Sequence, residues 1–151
     1  MNIWRCSIID YKANHVIGLT NFWPFDSSTE DVIGGQKLKI NPIVDASSDR
    51  FNKPNSAIYF NKGYGEFPEG VYFSSEGFTI MLWFKVIAYN SYQRIFDFGN
   101  GKINDNLLLT FNSGSGILLY PAYGNLVKKT ISKFIPLQTW THLSVTFSGD
   151  T

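Results

Sequence analysis

Oxygen-bearing side chains crowd one short stretch of this 151-residue chain, RIFDFGNGKINDN from Arg94 to Asn106. Asp97, Asn100, Asp105 and Asn106 could together recognise ligand hydroxyls or hold a hard cation, which takes several oxygen donors. The same residues have a plainer use. Gly99-Asn100-Gly101 is a strong turn signal, and Asn and Asp side chains bond their own backbone at tight corners. The corner carries more weight than the site. Asp97 falls between Phe96 and Phe98 in an alternating run, so its carboxylate must be solvated or paired. Arg94 and Arg50 are its candidate partners.

Aromatic rings are the second chemical handle, because a ring can stack on the apolar face of a pyranose. Tyr89 and Tyr92 lie in IAYNSYQ, Tyr64 in NKGYGEF and Tyr123 in PAYGN, all of them turn-rich. Each is more often a loop anchor on the edge of a β-structure than a sugar platform. As a group they are candidate ligand contacts. Trp4 stands in the N-terminal tail.

Catalytic chemistry finds little support. Retaining glycoside hydrolysis needs two carboxylates across one cleft. Glu66 and Glu69 in GEFPEG are the nearest acidic pair, but they flank a proline in a loop. His15 and His142 are isolated, and with Cys6 they show no metal-ligand spacing. No G-x-S-x-G and no phosphate-binding glycine loop occurs. The chain is expected not to be an enzyme.

The elements that must carry these residues are short and β-rich. Apolar residues make up 44 %, charged residues 17 % and aromatics 17 % of the chain. Aromatic and β-branched residues suit pleated, half-buried surfaces. FTIMLWFKV (78–86) is apolar on both faces, as a strand in the middle of a packed architecture would be. NLLLTF and GILLY flank NSGSG, a hairpin signal. WTHLSVTF alternates, with Leu143, Val145 and Phe147 facing in and His142, Ser144 and Thr146 facing out. AIYF, GVYF and NLVKKTISKF add further strands. SSTEDVIGG could form one helical turn with Ser28 as its N-cap, ended by Gly34 and Gly35. Thirteen basic residues face twelve acidic ones. That balance argues against nucleic acid as a partner. The longest apolar run is too short to span a bilayer. One cysteine excludes an internal disulfide and leaves the partner of Cys6 open.

The ordered segments NFWPFDSSTEDVIGG, DRFNKPNSAIYFNKG, GFTIMLWFKV, RIFDFGNGKINDNLLLTF and QTWTHLSVTFSGDT resemble a laminin G-like jelly roll of the concanavalin A-like lectin/glucanase superfamily. The resemblance covers residues 19–151 and leaves 1–18 as an extension or linker. It implies an all-β fold, an antiparallel β-sandwich. The strand that ends in SGDT would be followed by others in that family, so the sandwich is expected to be incomplete at the C-terminus. The resemblance also implies a non-catalytic module that binds a glycan or an extracellular protein, within a secreted or cell-surface protein. A structural spacer and a diverged glycosidase are the alternatives; the glycosidases of the superfamily carry an E-x-D-x-x-E strand that is missing here. Such domains often hold calcium at a rim. Asp26 and Asp31, in the opening loop, are the acids that match, with Asp97 as a third. A turn carboxylate bonded to backbone N–H groups is the plainer role for Asp26.

Overall fold

The structure, a computed structural model, describes residues 2–5, 18–41, 44–74, 76–90, 93–99, 107–111, 117–120, 129–131 and 134–148. All regular structure among them is strand, in eleven segments. Every strand pair with a described register is antiparallel. The expected all-β class is what the chain forms. Two compact units divide it: residues 3–85 with 140–151, and residues 86–139 with 1–2.

The first unit is built on a five-stranded sheet ordered β11-β6-β1-β4-β3. These strands are β1 (Asn2–Arg5), β3 (Val44–Ser47), β4 (Ala57–Phe60), β6 (Gly77–Val86) and β11 (Trp140–Ser148). β1 comes from the first 18 residues, for which no family counterpart was apparent in sequence. β6 is an interior strand, as its two apolar faces predict. Leu82 and Phe84 of β6 and Val145 of β11 are buried. The alternate positions face outward. There the Trp83 ring lies 5.1 Å from His142, its cross-strand neighbour, and 4.7 Å from the Arg50 guanidinium. Met81 stays 42 % exposed, so the outer face of β6 is not fully covered among the described residues.

One expected strand is absent. GVYF forms no strand. Tyr72 donates its hydroxyl to the Pro68 carbonyl at 2.5 Å and packs 6.3 Å from Trp23 and 5.8 Å from Phe67. That local closure replaces a ladder and leaves Val71 94 % exposed. SSTEDVIGG makes the single helical turn expected, from Asp31 to Gly35, but Asp31 rather than Ser28 caps it, its Oδ1 accepting the Ile33 amide at 3.0 Å. The Asp31 amide donates to the Gln36 carbonyl at 2.7 Å, and the Gly35 amide donates to the Asp31 carbonyl at 2.7 Å. The result is a tight loop closed by an antiparallel bridge between Glu30 and Lys37. Gly35 supplies its left-handed residue, at φ 70°. Ser28 accepts from the Glu30 amide at 3.1 Å, a local bond ahead of the turn.

The second unit is a meander in the order β10-β9-β8-β7. Its strands are β7 (Arg94–Phe98), β8 (Leu107–Phe111), β9 (Ile117–Tyr120) and β10 (Lys129–Ile131). β8 and β9 pair as the hairpin signal predicts. The register shifts between Arg94 and Phe96. A bulge there lets consecutive Ile95 and Phe96 both be buried, which strict alternation forbids. Leu109 is fully buried, with Val86, Leu107, Phe111 and Ile135 also in this unit's core. Buried Gln93 ties the unit together. Its carbonyl accepts the Phe111 amide at 2.9 Å and the Thr110 hydroxyl at 2.7 Å.

Candidate functional site

β2 (Lys39–Asn41) and β5 (Tyr64–Glu66) form a two-stranded ribbon in the first unit. Lys39 stands opposite Glu66, Ile40 opposite Gly65, and Asn41 opposite Tyr64. Opposed residues share a face and neighbours alternate. One face therefore carries Leu38, Ile40 and Gly65, and the other carries Lys39, Asn41, Tyr64 and Glu66. The first face is packed. Leu38 is buried, and a Cβ on Gly65 would come within 2.6 Å of Leu38 Cδ2. Glycine at 65 thus lets β5 close on β2.

The second face is open and chemically mixed. The Tyr64 ring is 60 % exposed. Glu66 Oε2 lies 3.2 Å from Lys39 Nζ and accepts from Asn41 Nδ2 at 3.4 Å. An exposed ion pair of this kind adds little stability. What it does is orient a carboxylate, an ammonium and an amide beside an exposed aromatic ring.

The acids singled out for calcium have other partners. Asp31 is fully buried. Its Oδ1 accepts the amides of Phe22 at 2.7 Å and Ile33 at 3.0 Å, and its Oδ2 accepts from Asn21 Nδ2 at 2.8 Å. Burial alone would raise its pKa. The bonds from Phe22, Ile33, Asn21 and Gly34 outweigh burial and hold it below the ordinary carboxylate value. Asp26 accepts from Lys53 Nζ at 2.5 Å and from the Ser56 hydroxyl at 2.8 Å. These side-chain bonds tie two loops together. Asp97 pairs with Arg94 on β7, one of its two expected partners. Calcium takes about six to eight oxygens at once. Asp26 and Asp31, so committed, do not fit such an ion. Among the described residues no three His, Cys, Asp or Glu side chains gather as metal ligands would.

Of the aromatic candidates, the structure separates two. Tyr64 is exposed on the ribbon. Tyr89 donates its hydroxyl to the Ile135 carbonyl and packs 6.3 Å from Phe111. Burial raises its pKa. It is a loop anchor. Tyr92, Asn100, Asp105, Asn106 and Tyr123 lie outside the described residues.

Sequence reasoning missed Lys39 and Asn41. Strict alternation in Lys37-Leu38-Lys39-Ile40-Asn41 was the available signal for a strand. It also missed Phe51, 68 % exposed on a fixed loop. Asp49 fixes it: Oδ1 accepts the amides of Phe51 at 2.6 Å and Lys53 at 2.8 Å. Asp-Arg-Phe-Asn carries that turn chemistry in plain view.

A laminin G family model, described as the concanavalin A-like lectin/glucanases superfamily, matches residues 60–151, well over half of the chain. The match includes Tyr64 and Glu66 but begins after Lys39 and Asn41. No curated protein and no solved structure matches the chain.

Proposed function

This chain belongs to the laminin G-like family of the concanavalin A-like lectin/glucanases superfamily, and we propose that it is a non-catalytic recognition module whose ribbon face binds a glycan. The exposed Tyr64 ring beside Asn41, Glu66 and Lys39 carries this reading. A pyranose offers an apolar face for the ring, and its hydroxyls match an amide, a carboxylate and an ammonium. Glu66 stands in that face as an acceptor held by Lys39 and Asn41, and no second carboxylate opposes it on the ribbon. The parent protein is read as secreted or displayed at a cell surface, in keeping with the family. No helix among the described residues is long and apolar enough to cross a membrane.

A glycan array tests this, run on the chain and on Tyr64→Ala, with calcium and with chelator. Binding that Tyr64→Ala abolishes and chelator leaves intact supports the ribbon face. Binding lost with chelator would return the site to acids outside the ribbon. Binding that survives Tyr64→Ala would move it elsewhere.

Phe51 favours a second reading, a protein ligand. A pre-ordered, exposed aromatic side chain is the kind of anchor protein interfaces use, because little freedom is lost on docking. Phe51→Ala would then weaken capture of the protein partner and leave glycan binding unchanged.

A further inference from the structure

The other side of the ribbon borders a cleft of about 450 Å³ in the same unit. Ile40 turns into it from β2, and buried Ile58 forms part of its apolar floor. Two opposite charges line it, Lys37 and Asp45. They make no ion pair with each other. Among the described residues Lys37 reaches only Glu30, at 4.0 Å, with 71 % of its side chain exposed. Asp45, on the edge strand β3, has no hydrogen bond or ion pair to any described residue. Thr29 and Asn55, with Ser27 and Ser28, add to the polar lining.

Part of the cleft wall is set in advance. Phe25 (φ 56°), Ser27 (φ 56°) and Asn55 (φ 55°) all line the cleft in the left-handed region, which non-glycine residues rarely occupy. They are held there by neighbours. The Ser27 amide donates to the Asn55 carbonyl at 2.8 Å, and Asp26 bonds both Lys53 and Ser56. Left-handed non-glycine residues persist only where their surroundings over-determine them, and they gather at ligand clamps.

We propose that this cleft is a second binding site, for a small zwitterion of amino-acid or dipeptide size. The ligand's ammonium meets Asp45 and its carboxylate meets Lys37, so one molecule bridges two charges that do not reach each other. Its backbone polar groups meet Thr29 and Asn55, and an aliphatic side chain rests on Ile40 and Ile58. The volume admits a dipeptide, and the open, solvated mouth limits each charge contact to a modest strength.

The test is a titration of the ¹⁵N-labelled chain with glycyl-leucine, with its N-acetyl form and with its C-terminal amide. The expected result is a shift of amides around Thr29, Lys37, Asp45 and Asn55, with affinity falling about tenfold for each capped end. Asp45→Asn should erase the preference for a free amine, and Lys37→Gln the preference for a free carboxylate. Both positions are exposed, so neither change threatens folding. Tyr64→Ala should leave the titration unchanged, which separates this site from the glycan face. Equal binding of capped and free dipeptides overturns the proposal. So does the absence of any shift at ~10 mM ligand, a concentration that would reveal even millimolar affinity.

Discussion

The buried carboxylate of Asp31 accepts the backbone N–H of Phe22, nine residues earlier in the chain, at 2.7 Å. It also accepts Ile33 and Asn21, so one side chain pins the entry segment to the Glu30–Lys37 loop. Its pKa is lowered in the fold from an ordinary value of 3.8. The sign follows directly. The unfolded chain takes up a proton at Asp31 at higher pH than the folded chain does. The stability it contributes is therefore complete above the ordinary value and lost as pH falls through the lowered one. Acid unfolding of the chain should show this, and Asp31→Asn should flatten that part of the profile. Asp31→Ala strands the Phe22 and Ile33 backbone amides and the Asn21 side-chain amide, and should cost about 1–3 kcal/mol at pH 7 in denaturant melts.

Gly65 offers a cleaner mechanical test. Gly65→Ala places a methyl 2.6 Å from Leu38 Cδ2, and Leu38 is buried with little room to retreat. Overpacking of this kind costs about 1–3 kcal/mol. Adding Leu38→Val should recover part of the loss, since the two side chains compete for one space. A double-mutant cycle reads this as a favourable coupling; strict additivity would mean that the contact is not the cause.

How much of this was legible in the sequence depends on the range of the forces involved. β6, β11 and the β8–β9 hairpin follow from local alternation and turn residues, and the structure forms them. Asp97 had to be solvated, paired or hydrogen-bonded, and of its two candidate partners Arg94, three residues away, is the one it pairs with. Asp31 gave no local sign that its oxygens would be committed to Phe22 and Asn21, because those bonds close over nine and ten residues. Tyr64 read as a loop residue because YGE is too short to show a period; its strand exists only through pairing with β2. The same holds for the cleft, whose lining joins residues 25–29 and 37–46 with 55–58.

Tyr64 and Tyr89 should part company on mutation. Tyr64 is exposed and has no described hydrogen bond, so Tyr64→Ala should remove glycan binding and leave the melting temperature within about 2 °C of the parent. Tyr89→Phe deletes the donor to the Ile135 carbonyl. It should cost about 1 kcal/mol and leave binding intact. Loss of binding in Tyr89→Phe at unchanged stability would mean that the anchor, not the ribbon, touches the ligand.

The strained positions outside both proposed sites should yield stability. Lys62 adopts φ 62° in the β4–β5 connection although Gly63 stands beside it, and Gln138 adopts φ 58°. Left-handed backbone costs an ordinary L-residue roughly 1 kcal/mol, which glycine avoids, although glycine also frees the unfolded chain. The balance favours glycine where φ is fixed by neighbouring bonds. Gln138 meets that condition, because its amide donates to the Val86 carbonyl at 2.7 Å, and glycine gives up only a long, exposed side-chain bond to the Ile87 carbonyl at 3.4 Å. Lys62→Gly and Gln138→Gly should each raise stability by up to about 1 kcal/mol in chemical melts. Ser27→Gly relaxes a similar strain but removes a hydroxyl that donates to the Asn55 carbonyl at 3.3 Å. It should leave stability nearly level and weaken dipeptide binding, because the cleft wall would be freer to leave its left-handed geometry.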